Sequence, residues 1–140
     1  MKFALIIPFL ILLVCAAGKT AGKTRPDDAR KVTPFACIVD AFSPEERKRH
    51  FDELGPMLRK LKSGMRELKE GYEFQFPSDR ATFNLVAEWA IQEQRCCPFF
   101  EIAIRLDREG GPLWLRLTGR KGVKEFIRDE FTPWFAASSH

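Results

Sequence analysis

Apolar residues recur along the chain in two rhythms, and the switches between them predict the elements. Residues 35–42 (FACIVDAF) form a nearly continuous apolar run that predicts a first strand. A helix start follows: Ser43 caps, Pro44 takes the first helical position, and Glu46 completes a capping box. Phe51, Leu54, Leu58 and Leu61 then recur at helical spacing and predict one buried face. Gly55-Pro56 predicts a kink there, or a break into two shorter helices. Tyr72, Phe74 and Phe76 alternate with Glu73 and Gln75, a strand with its aromatic face inward. Ser78 or Asp79 opens a central helix whose apolar face is Phe83, Val86, Trp89 and Ala90, and Pro98 closes it. Phe100, Ile102, Ile104 and Leu106 alternate with polar neighbours or Ala103. After the turn residues 109–112, Leu113, Leu115 and Leu117 do the same, predicting a hairpin. Val123, Phe126, Ile127 and Phe131 mark a last helix. Residues 132–140 read as a loose tail with Trp134 and Phe135 as the rings able to dock.

The resulting order is strand-helix-strand-helix-strand-strand-helix. It predicts an α+β fold, with helices packed against a mainly antiparallel sheet of about four strands. Hydrophobic residues at 45% and charged residues at 30% suit a folded domain, and thirteen Phe with three Trp predict a ring-rich core. The net charge of +4 is spread among interleaved acids and bases. Nucleic-acid binding is therefore not expected, since it would cluster Lys and Arg on one face.

The first residues have a separate logic. Met1-Lys2 precedes an apolar stretch, residues 3–18, ending in Ala16-Ala17-Gly18, the layout of a secretory signal peptide. Residues 19–32 read as a flexible tether and 33–140 as a single domain. The expected location is exported, either bacterial periplasm or secreted. The alternative is attachment to a membrane through an uncleaved segment or a lipid on Cys15, although Val14 is large for the residue before a lipidated cysteine. Two Gly-Lys-Thr triplets, at 18–20 and 22–24, evoke a phosphate loop. The glycine required five positions before Gly22 is Ala17, and no strand-to-helix context surrounds them. No Ser-His-Asp set or paired-carboxylate pattern can be assembled. His50 is read as a surface or core-edge residue rather than a ligand. Lys124 and Arg116 are read as residues of a solvated face rather than a pocket border.

The candidate chemistry is thiol chemistry. Without Cys15, three cysteines remain: Cys37, Cys96 and Cys97. A domain of about 100 residues buries a core without disulfides, so none is needed as a staple. Cys96 and Cys97 are poor partners for each other, because a trans peptide holds their Cα atoms about 3.8 Å apart. Consecutive helical residues diverge by about 100°, so the two thiols converge only if the last turn unwinds before Pro98. Glu93 lies three and four residues earlier, on the same face. If the first segment lies beside this helix end, Cys37 adds a third sulfur. Three thiolates with a carboxylate suit mercury, arsenite, copper(I), or zinc with Glu93 as fourth ligand. The negative end of the helix dipole works against a poised thiolate, with Arg95 as a partial offset. These residues leave three readings open: a soft-metal or metalloid site, a thiol-disulfide oxidoreductase, and inert packing cysteines in a structural or partner-binding module.

Together, residues 37–131 resemble a family of uncharacterised bacterial proteins. The shared features are Ala36-Cys37 ahead of a Ser-Pro helix start, then Gly71-Tyr72, Ala87-Glu88-Trp89 and the Glu93-x-Arg95-Cys96-Cys97-Pro98-Phe99 signature. The chain end is also similar, with Trp114, Leu115, Leu117-Thr118-Gly119 and Gly122-Val123-Lys124-Glu125-Phe126. The chain departs from that pattern at Val39-Asp40 and Arg120-Lys121. A related segment is found behind the DNA-binding domains of mercury-resistance-type regulators. The resemblance implies a sensing or sequestering role, and no established activity. Because it reaches back to Cys37, it favours a functional three-thiol site.

Overall fold

The structure, a computed structural model, describes residues 35–136. The predicted signal segment with Cys15, the tether and residues 137–140 lie outside the described residues. The order is α1 (44–61), β1 (Gly64–Leu68), β2 (Gly71–Phe76), α2 (Arg80–Cys96), β3 (Glu101–Leu106), β4 (Leu113–Thr118) and α3 (Val123–Glu130). The fold is α+β. Its four strands pair antiparallel throughout, in the order β1-β2-β4-β3.

The first predicted strand is not one. Residues 35–42 contain a short 3-10 turn, Val39–Ala41, and are largely exposed. Their apolar side chains serve as separate anchors, with Phe42 packing on His50 and Phe35 on Phe99. The missing strand is supplied by β1, which carries too few apolar residues to announce itself. It is an edge strand defined by pairing with β2 across the two-residue turn Lys69-Glu70.

Helix α1 begins as expected, with the reciprocal bonds between Ser43 and Glu46 both present. At Gly55-Pro56 it neither breaks nor ends. The helix widens into a π segment, Lys48–Leu54, and resumes as Gly55–Leu61. Pro56 has no N–H to offer the preceding turn, and the π register absorbs that mismatch: the Gly55 N–H donates to the His50 carbonyl, five residues back. The buried stripe is therefore His50, Leu54 and Leu58. Phe51, expected inside, is 41% exposed. On α2 the buried positions are Thr82, Val86, Trp89, Ala90, Glu93 and Cys96, while Phe83 lies at the surface.

Tyr72, Phe74 and Phe76 on β2, with Leu113, Leu115 and Leu117 on β4, face the helices and form the core. On the opposite face Glu73 is also buried, because Arg116 and Arg66 close over it at 2.6 and 3.0 Å. Arg116 is thereby committed to the sheet, and Lys124 pairs with Glu67, so neither borders the thiols. The chain end is better held than the sequence suggested. Trp134 is buried, and its ring packs on Phe74, Phe76 and Trp89. Among the described residues no helix is long and apolar enough to cross a membrane.

Candidate metal centre

The C-terminus of α2 is where the thiols meet, and local rules explain how. Cys96 is the last helical residue. Cys97 precedes Pro98, and the proline ring disfavours helical geometry at that position. It adopts φ −120° and ψ 70°, while its N–H still donates to the Glu93 carbonyl at 2.7 Å. That single departure from the helix breaks the 100° divergence between neighbours. The Phe100 N–H then closes the turn on the Cys97 carbonyl at 3.0 Å.

Cys37 is brought alongside by three attachments of its segment. The Ile38 N–H donates to the Cys96 carbonyl at 2.8 Å, satisfying an acceptor that the helix end leaves free. Arg95 reaches away from the thiols and donates to the Ala41 carbonyl and to Glu46, the capping-box residue of α1. Phe35 wedges between Phe99 and Phe126, over Gly122, where a side chain would strike its ring. Arg95 is thus a clamp on the Cys37 segment rather than a counter-charge to the thiols.

The three sulfurs all lie within 4.8 Å of one another, a cluster that can hold a metal ion. Cys37 Sγ is 2.9 Å from Cys97 Sγ, and all three are free thiols. Cys96 and Cys97 are buried while Cys37 faces solvent, so the cluster has one open side. A zinc ion about 2.3 Å from each sulfur sets tetrahedral S···S separations of roughly 3.8 Å, within the reach of this group.

The thiols share charge unevenly. Hydrogen bonds from Cys37 and Cys97 hold Cys96 well below the usual thiol range, at about 4. Cys37 is pushed up to about 11, chiefly by its hydrogen bond with Cys96. Cys97 is also raised, by its bonds to Cys37 and Cys96 and then by burial. The cluster therefore favours negative charge on Cys96 over Cys37 and Cys97. The Glu93 carboxylate opposes negative charge on both Cys96 and Cys97. Of the two thiols at this helix end, the expectation of a raised pKa describes Cys97 and not Cys96.

Glu93 itself turns to His50 rather than joining the sulfur group: His50 Nε2 lies 2.8 Å from Glu93 Oε2, and both residues are almost fully buried. The His50 ring also stacks on Trp89, 5.7 Å between centroids and 15° between planes. Its Nδ1 is buried without a hydrogen-bond partner among the described residues. The sequence reading placed His50 at the surface or core edge. The spacing His50-Leu54-Leu58, four residues at each step, held the signal that it lies on the inner face. Its pairing with Glu93, across 43 residues, had none.

A cavity of about 180 Å³ opens beside the cluster. Cys37, His50, Glu93 and Arg59 line it together with aromatic rings that include Trp89 and Trp134. Compared with known proteins, the chain matches no protein-family model, no curated protein and no solved structure.

Proposed function

We propose that this protein is an exported binding protein that takes up a soft metal or metalloid ion through Cys37, Cys96 and Cys97, with Glu93 beside them. The observation that carries the reading is the convergence of three sulfurs, drawn from two segments 60 residues apart, to within 4.8 Å of one another. Soft sulfur ligands select thiophilic ions over hard ones such as magnesium or calcium. Three sulfurs complete a trigonal site for mercury(II), arsenite or copper(I). Zinc needs a fourth donor, and Glu93 takes that place only by leaving His50. Burial of two sulfurs excludes water from one side of the ion, while exposed Cys37 provides the approach. The apolar stretch at residues 3–18 supports the exported location.

The test is titration of the fully reduced chain with mercury(II), arsenite, copper(I) and zinc, following the thiolate-to-metal absorption band. One ion per chain is expected, with affinity collapsing in the Cys96→Ser/Cys97→Ser double variant. Absence of a stoichiometric endpoint for every ion, or indifference to the double substitution, rules the reading out.

A second reading draws on the 2.9 Å approach of Cys37 Sγ to Cys97 Sγ and the lowered pKa of Cys96. In a thiol-disulfide oxidoreductase, Cys96 or Cys97 attacks a disulfide and Cys37 resolves the mixed intermediate. Trapping such a mixed disulfide on a Cys37→Ser variant with a small disulfide reagent supports it. Unchanged thiol counts after that treatment count against it.

A further inference from the structure

Three sulfurs are enough to hold an ion, and a bare ion leaves the adjoining cavity empty. At about 180 Å³ that cavity is smaller than the roughly 300–1,000 Å³ of drug-sized sites, and so fits a compact organic group. Its walls and its polar atoms are distinct in kind. Trp89, Phe131 and Trp134 provide apolar surface. Arg59 lines the cavity with its guanidinium close to Gly55, and it makes no ion pair among the described residues. Glu130 lies in the same lining and is exposed.

His50 supplies the observation that points to a ligand. It is 2% exposed, lines the cavity, and its Nδ1 has no partner among the described residues. A carboxylate oxygen stands opposite Nε2, so Glu93 occupies that nitrogen and leaves Nδ1 for another partner. A buried ring nitrogen without a partner is costly unless one arrives from outside.

We propose that the cavity binds a small thiol bearing both a carboxylate and an ammonium group, and that the metal reaches the cluster as the thiolate complex of such a carrier. This inference rests on the three-thiol reading above. Arg59 takes the carboxylate, and the ammonium sits against Glu130 on the His50 side of the cavity. The carrier's sulfur and its metal then lie against Cys37, the exposed member of the cluster. Transfer is ligand exchange without redox change. A bond from Cys37 sulfur to the metal forms as the bond from the metal to the carrier sulfur breaks, and the departing thiolate takes the proton that Cys37 gives up. A second exchange at Cys97 releases the second carrier thiol in the same way, and the Cys96 sulfur closes the site.

The experiment uses the full reduced chain and mercury(II) supplied in four forms: chloride, and the bis-complexes of cysteine, cysteamine and 3-mercaptopropionate. Quenching of Trp89 and Trp134 fluorescence in stopped flow reports arrival of the heavy ion. The cysteine complex is expected to react at a rate that saturates with its concentration. At low concentration it should outpace the cysteamine complex by about tenfold or more, the worth of one hydrogen-bonded charge contact. Arg59→Gln should bring that ratio close to one, and Arg59→Lys should restore part of it. Equal rates from all three thiol complexes, or a ratio indifferent to Arg59→Gln, overturn the carrier proposal while leaving the metal site standing. Absence of quenching from every form, chloride included, overturns both.

Discussion

The buried pair of His50 and Glu93 makes a demanding prediction about stability, because its two single substitutions and its double substitution should behave very differently. His50 Nε2 and Glu93 Oε2 are 2.8 Å apart, with side-chain exposures of 2% and 4%. Replacing His50 by leucine keeps most of the volume between Phe42, Phe51 and Trp89 but leaves the carboxylate sealed beneath them without its partner. Breaking a buried ionic or charge-assisted pair in this way costs about 3–5 kcal/mol. A domain of this size holds only about 5–15 kcal/mol in total, so the loss is a large share of it. His50→Leu with Glu93→Leu removes both polar groups together, and such replacements are commonly neutral or stabilising. Urea unfolding of the wild type, both single variants and the double variant closes the cycle. The single variants should each be strongly destabilised and the double variant close to wild type, with a coupling of at least about 2 kcal/mol. Additive single effects would mean that the two groups do not sustain each other, and the account of the cavity wall would fall with that result. A stable double variant has a further use. It would show that the pair is dispensable for folding, leaving ligand chemistry as its reason for being there.

Three further predictions test the cluster and its supports. Gly122 has φ +98° and its missing side chain makes room for the Phe35 ring, so Gly122→Ala combines a left-handed strain of about 1–2 kcal/mol with displacement of Phe35. The variant should still bind mercury(II) through Cys96 and Cys97 but with a two-sulfur absorption spectrum, and an unaltered three-sulfur spectrum would contradict the anchoring role of Phe35. Mercury(II) binding near pH 7 should release about two protons per ion, because the pKa of Cys96 is lowered while those of Cys37 and Cys97 are raised. Dye measurement in weak buffer distinguishes two from three. The lowered Cys96 pKa makes the folded state hold fewer thiol protons than the unfolded chain between about 4 and the ordinary thiol value, so stability rises with pH across that window. Above it the raised Cys37 and Cys97 keep protons that the unfolded chain gives up, and stability falls. Subtracting the pH profile of a triple Cys→Ser variant should isolate this rise and fall, and superimposable profiles would refute it.

Much of this was legible in the sequence, for reasons specific to each element. The capping box at Ser43, the alternation on β2 and the β3–β4 hairpin are local patterns, and each appears where its residues predict it. The convergence at Cys96-Cys97-Pro98 was legible too, since the proline restricts the residue before it whatever the surroundings. Strand β1 was hidden because its identity comes from the neighbouring strand, not from its own side chains. Residues 35–42 misled because a continuous apolar run has the same composition whether it enters a sheet or is draped over a helix end with rings pointing two ways. On α1 the buried face holds His50 rather than Phe51, and the four-residue steps His50-Leu54-Leu58 carried that signal; the π register ahead of Pro56 did not show in the sequence, because it depends on how the helix absorbs the missing N–H.

The thiols stand in a negative field at the end of α2, since a helix C-terminus is negative and Glu93 lies close by. For a nucleophile that would be a handicap. For a cation site it is an advantage, because the same field that resists a second and third thiolate favours a positive ion among them. The unloaded cluster favours negative charge on Cys96 over Cys37 and Cys97. Its remaining protons leave only when an ion arrives to replace their charge. The dipole, Glu93 and the thiols then act in one direction, and the selectivity comes from sulfur rather than from charge. A hard dication feels the same field but finds the Glu93 carboxylate already engaged by His50, so magnesium or calcium at millimolar concentration should not displace a bound thiophilic ion. Competition by either at that level would show that the field, and not the sulfurs, holds the ion.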